Sequence, residues 1–109
     1  MISREKYLLT VLAEEANEIA VRASKAIRFG LSEKQPGQDL SNAARIKGEI
    51  NDLLAVVDML NSEFDLGFFE SSMLQKEKRE KVEKYYRYSV ELGEVSPAAP
   101  TQPDRGGAQ

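Results

Sequence analysis

Cysteine, histidine and tryptophan are all missing from the 109 residues of this chain. Without cysteine there can be no disulfide and no thiolate metal site. Without histidine, the commonest zinc ligand and the commonest general base are both gone. Any metal held here must be held by oxygen. Proline is scarce until the end: three of its four occurrences lie beyond Ser96, which leaves Pro36 alone in the body of the chain. Long apolar runs are lacking as well. None approaches the ~18 residues of a membrane helix, and the first residues carry charges where a signal peptide would have its apolar stretch. These features predict a cytoplasmic protein with no membrane partner. A net charge of −3, with a pI near 5.1, gives no reason to expect a nucleic-acid polymer as partner.

What the chain does have is helical periodicity. The segment Ser3 to Phe29 contains no proline or glycine. At about 100° per residue, Leu8, Leu12, Ala16, Ile19, Ala23 and Ala26 form one apolar arc. Ser3 is placed to cap this helix, Glu5 suits the positive end of its dipole, and Gly30 suits its end. Leu31 to Leu40 is rich in turn residues and reads as a loop. A second helix follows Asp39 or Ser41 and runs from about Asn42 to Asp65, stopping near Gly67. Its arc is Ile46, Ile50, Leu53, Leu54, Val57, Leu60 and Phe64. Gly48 weakens this helix slightly, as if a backbone or ligand came close. A third helix, from Ser71 or Ser72 to Leu92, is mostly a charged, solvated face. Its thin apolar side holds Met73, Leu74, Val82, Tyr85, Tyr86 and Val90, which need cover from the first two helices or from another subunit. The expectation is an all-α domain over residues 1–93: a bundle of long antiparallel helices completed by oligomerisation. Residues 94–109 read as a disordered, Pro-rich tail.

The two longest helices make the same costly choice. Glu15 falls inside the first apolar arc, with Glu14 and Glu18 on its flank. Glu49 falls inside the second, with Asp52 on its flank. Residues three or four apart share a helix face, so each helix offers a carboxylate pair. A carboxylate aimed at a core is expensive unless a positive charge meets it. Antiparallel helices would let the pairs converge, and four carboxylates would repel or take up protons without a cation. Magnesium or manganese, hard ions that prefer oxygen, would resolve the conflict. The pattern alone leaves a second reading open, in which these are surface acids on a helical interaction module. Lys25 and Arg28 follow on the flank of Glu18, where they suit either a polyphosphate or the negative end of the helix dipole. Asn61 lies on the second arc and needs a partner, either a nucleotide base or the backbone. Lys34 and Arg45 are weaker phosphate candidates. Phe29, Phe64, Phe68 and Phe69 suit packing better than stacking on a base.

The motif Glu14-Glu15-x-x-Glu18 followed by Glu49-x-x-Asp52 resembles the signature of the MazG-like all-α nucleoside triphosphate pyrophosphohydrolases, a superfamily with dimeric dUTPase relatives. The stretches EEANEIAVRASKAIRFG and RIKGEINDLLAVVDML are closest in wording to MazG-like proteins of bacteriophages and bacteria. The resemblance covers roughly residues 5 to 65 and extends to the third helix. It implies a helical bundle completed as a homodimer or homotetramer, in a bacterial cytoplasm or in that of the host if phage-encoded. It also implies magnesium-dependent conversion of a (deoxy)nucleoside triphosphate to the monophosphate and pyrophosphate, with in-line attack by a water. By motif position, Glu15, Glu18, Glu49 and Asp52 would be the metal ligands, with Glu14 assisting catalysis. Lys25 and Arg28 would match its basic positions for phosphate, and Asn61, from its place on the second arc, is the further candidate for contact with the nucleotide. The halves of the motif are separated by residues 19–48, slightly more than the family's usual spacing, and the loop Gly30 to Ser41 is where the difference would be absorbed. A catalytically silent oligomerisation or nucleotide-binding module that kept the acidic motif is the alternative.

Overall fold

A computed structural model describes residues 1–97. Most of the expected Pro-rich tail, residues 98–109, lies outside the described residues. Three α-helices make up the regular structure: α1 (Arg4–Phe29), α2 (Asn42–Phe64) and α3 (Ser72–Glu91), with no strand among the described residues. The chain divides into two compact units, one of residues 1–68 holding α1 and α2, the other beginning at Phe69 and holding α3.

Serine starts every helix. The hydroxyls of Ser3, Ser41 and Ser71 accept hydrogen bonds from the amides of Lys6, Ala44 and Leu74 at 3.1, 3.1 and 3.2 Å. Each cap satisfies an amide that the first helical turn leaves without a partner. Of the two candidates for α2, Ser41 takes the role and Asp39 does not. α1 runs unbroken for 26 residues, about 40 Å. It ends where Gly30 adopts φ 91°, a conformation that L side chains rarely enter. α2 ends earlier than Gly67. Asp65 turns left-handed at φ 56°, which aspartate tolerates better than most residues, and the amides of Asp65 and Leu66 both turn back to Leu60 O.

α1 and α2 form an antiparallel hairpin. Arg4 at the start of α1 meets Glu63 at the end of α2, while Asn42 at the start of α2 meets Gly30 just past the end of α1. The loop between them is tied down near its α2 end. Asn42, only 2% exposed, donates from Nδ2 to Gly30 O at 2.8 Å and to Glu33 Oε1 at 3.0 Å. The amides of Asn42 and Ala43 bond to the carbonyls of Glu33 and Leu31. These bonds stand in for the ones a helix start cannot make within itself.

The apolar core of the hairpin is small: Leu8, Val56 and Leu60 are buried, with Val11, Leu12, Met59 and Phe64 packed around them. Burying a leucine contributes roughly 1.5–3 kcal/mol. The packed stripe of α2 is turned relative to the expected arc. Val56 is at its centre, whereas Ile50 and Leu54 face solvent. The partners explain the turn, since every seventh residue of α2 (Asn42, Glu49, Val56 and Glu63) meets the loop or α1. Three of those four are polar, and an arc drawn through apolar residues alone misses them. Around Gly48, a Cβ would meet nothing within 4 Å, so no backbone of the described residues approaches closely enough to require the glycine.

In the second unit, α3 buries none of its residues. Met73, Leu74, Val82, Tyr85 and Tyr88 are exposed, while Tyr86 and Val90 are half-buried. After Gly93, the Glu94 amide bonds to Ser89 O and the Tyr86 hydroxyl donates to Ser96 O.

Candidate metal centre

Three of the five singled-out acids come together. One carboxylate oxygen from each of Glu15, Glu49 and Asp52 lies within 4.8 Å of the others. Helix geometry accounts for this. Seven residues bring a helix round to within about 20° of where it started. Glu15 therefore sits one such step from the buried Leu8, and Glu49 one step from the buried Val56. The contacts that hold the core also aim these two carboxylates across the helix pair. Asp52, three residues from Glu49, stands beside it at the exposed rim. The cluster is thus half-buried at its base and open on the Asp52 side.

Its electrostatics are unbalanced. Glu15 Oε2 is shielded from solvent and has no hydrogen-bond partner. Burial comes first in raising the Glu15 carboxyl above its ordinary value. The charges of Asp52, Glu49 and Glu18 push the same way. A buried carboxylate oxygen without a donor is costly, and a proton or a cation relieves it. Glu18 is exposed on α1 and outside the three-residue group, but it is close enough for its charge to act on Glu15. Glu14 is exposed and outside the group.

The one basic residue recorded at the cluster is Arg22, which the sequence reading passes over. Its Nε lies 3.5 Å from Glu49 Oε2, and both side chains are 17% exposed. The signal that finds it is again the step of seven: Leu8, Glu15 and Arg22 follow one another along a single seam of α1.

The proposed nucleotide contacts fare differently. Lys25 is half-buried about 15 Å along α1 from Glu15, and Arg28 is exposed about 20 Å along, in the last turn, where a cation suits the helix dipole. Asn61 takes the backbone alternative, not the base. Its Nδ2 donates to Phe68 O and its Oδ1 accepts from Phe68 N, each at 2.8 Å. That pair of bonds fastens the chain after α2, because a side-chain amide offers the same donor and acceptor as a peptide group. The loop Gly30 to Ser41 lies beyond Arg28, about 22 Å along α1 from Glu15 and about 12 Å along α2 from Glu49.

The chain matches no family model, no curated protein and no solved structure. No helix among the described residues is long and apolar enough to cross a membrane.

The donors at the cluster fit a hard divalent ion. All are oxygens, one is buried without a partner, and the three converge from two helices.

Proposed function

We propose that the chain is a magnesium-dependent nucleotide pyrophosphohydrolase of the MazG-like superfamily. It would convert a (deoxy)nucleoside triphosphate to the monophosphate and pyrophosphate. The observation that carries this reading is the convergence of Glu15, Glu49 and Asp52 around an oxygen with no partner. The motif resemblance suggests the reaction class, and the converging carboxylate oxygens support the reading because they suit the cation that reaction needs.

In this reading Glu15, Glu49 and Asp52 hold the ion, and Glu18 completes the set from the exposed flank. Magnesium, when bound, would neutralise the polyphosphate and activate a water for in-line attack. Manganese would substitute. The half-buried base of the cluster holds Glu15 and Glu49 in place, while the Asp52 side leaves room for substrate. In the same reading Lys25, farther along α1, would contact the more distant part of a nucleotide. No protein nucleophile is required, in keeping with a chain that has neither cysteine nor histidine.

The assembly belongs to the same proposal. Three buried apolar residues are few for a helical hairpin, and helices in proteins draw most of their stability from packing an apolar face. Tyr7, Leu9, Val21, Ile27, Ile50 and Leu54 are exposed on α1 and α2. A second copy of the chain would cover such residues, giving a homodimer or, by repetition, a homotetramer. Light scattering after size-exclusion chromatography measures this directly.

The functional test is pyrophosphate release with magnesium across a panel of nucleotides, for the natural chain and for Glu49→Gln. Release from at least one nucleotide, lost in the variant, supports the reading. Full activity in the variant refutes the ligand role. Nucleotide binding without turnover would assign the chain to the silent binding module instead.

A further inference from the structure

The contact between Arg22 and Glu49 has the features of a provisional one. It is single and long, 3.5 Å from Nε, at the edge of hydrogen-bond range, although both side chains are largely shielded from water. Arginine normally meets a carboxylate through two parallel bonds. That arrangement exists elsewhere in the same hairpin, between Arg4 and Glu63 at 2.9 and 3.1 Å. At Glu49 it does not form, and the two terminal nitrogens of Arg22 bond to no group among the described residues.

We propose that Arg22 is a resident counter-cation that holds Glu49 while no divalent ion is bound, yields it to the ion, and then turns its freed guanidinium to the substrate's phosphates. This rests on the metal reading above and adds a coupling to it. One guanidinium leaves the cluster with an excess of negative charge, so a divalent ion can compete with Arg22 for Glu49. Removing the guanidinium from Glu49 makes available the oxygen that the ion needs. The freed side chain then stands between the carboxylates and Lys25, which follows three residues later on the same helix face. Arg22 and Lys25 would form a short cationic path leading away from the metal, the direction in which a polyphosphate anchored at Glu15 and Glu49 can extend. Ion and substrate are thereby linked: the ion releases the arginine that the substrate uses.

The test reads binding, not turnover. Manganese affinity is measured by calorimetry, without nucleotide, for the natural chain, Arg22→Met and Arg22→Lys. The affinity for a non-hydrolysable nucleoside triphosphate is then measured with magnesium present. Arg22→Met should bind manganese about fivefold more tightly, since its competitor is gone, and the nucleotide about tenfold more weakly. Arg22→Lys should fall between on both measures. In the natural chain, the Arg22 Nε–H signal in nitrogen-edited NMR should shift when magnesium is added and again when the nucleotide follows. Unchanged or weaker manganese binding in Arg22→Met overturns the proposal, as does an Nε–H signal that ignores both additions. The NMR measurement decides if circular dichroism shows that Arg22→Met is unfolded. A natural chain that binds no divalent ion at millimolar concentration is a separate result, which removes the metal reading itself and this proposal with it.

Discussion

Two arginines of α1 reach across to glutamates of α2, and they do so in opposite ways. At the outer end, Arg4 grips Glu63 with two short bonds, and the hydrogen bond and charge of Arg4 hold the Glu63 carboxyl below its ordinary value. Towards the middle, Arg22 touches Glu49 once, at 3.5 Å, and the neighbouring Glu15 is pushed the other way by burial and by the charges around it. The outer pair is exposed, satisfied and complete without help. The inner group is half-buried and open at Asp52, acidic beyond what its arginine can balance, and includes an oxygen with no partner among the described residues. A structural ion pair closes its own account; a binding site leaves an unmet demand that a ligand fills.

The sharpest way to break this contrast is to neutralise one acid from each end. Glu15→Gln should lower kcat/KM for the nucleotide by at least about 100-fold, beyond the 10–100-fold typical when a supporting group of a metal site is lost. Glu63→Gln should leave it within about twofold, as surface substitutions usually do. Equal losses would mean the inner cluster has no special role.

The next effect concerns stability. Leu60→Ala empties the small core beside the outer pair and should cost about 2–5 kcal/mol in urea unfolding. The manganese affinity of the folded fraction should be unchanged, because Leu60 touches no member of the cluster in this account. Asn42→Ala should cost less, about 1–3 kcal/mol, by leaving the Gly30 carbonyl without its donor in a shielded place.

A pH series separates the two ends by sign. A carboxyl whose folded value is raised binds its proton more tightly when folded. Glu15 therefore favours the folded state below its ordinary 4.5, and that contribution is lost as the pH climbs through the raised value. Glu63 has a lowered value and behaves in reverse, contributing above 4.5 and losing its contribution as the pH falls. Without metal, Glu15→Gln should remove the loss of stability above 4.5, and its melting temperature should exceed that of the natural chain at neutral pH. Magnesium should raise the melting temperature of the natural chain at neutral pH and leave Glu15→Gln unmoved. The smallest effect belongs to Arg4→Ala, which should shift the unfolding midpoint slightly, with the difference shrinking as salt rises.

Much of the hairpin could be read before its coordinates, because serine caps, Gly30 and the helical period are local signals. The carboxylates of Glu15, Glu49 and Asp52 were legible for a related reason: a charge interrupting an apolar arc is conspicuous. Arg22 was not, since a basic residue on the flank of an arc looks like ordinary solvated surface. Its importance depends on which residue of α2 stands opposite, and that register is set by packing. The same cause hid Val56, displaced in the reading by Ile50 and Leu54, and the fate of Asn61, whose partner at Phe68 lies beyond the end of α2. Asp65 ended that helix short of Gly67 because a left-handed aspartate can do what the glycine was expected to do.

A manganese titration followed by electron paramagnetic resonance probes the unmet charge of the inner cluster most directly. The natural chain should bind the ion saturably, Glu15→Gln should lose that binding, and Glu63→Gln should retain it. Saturable binding that survives in Glu15→Gln, or none in the natural chain, would contradict this expectation.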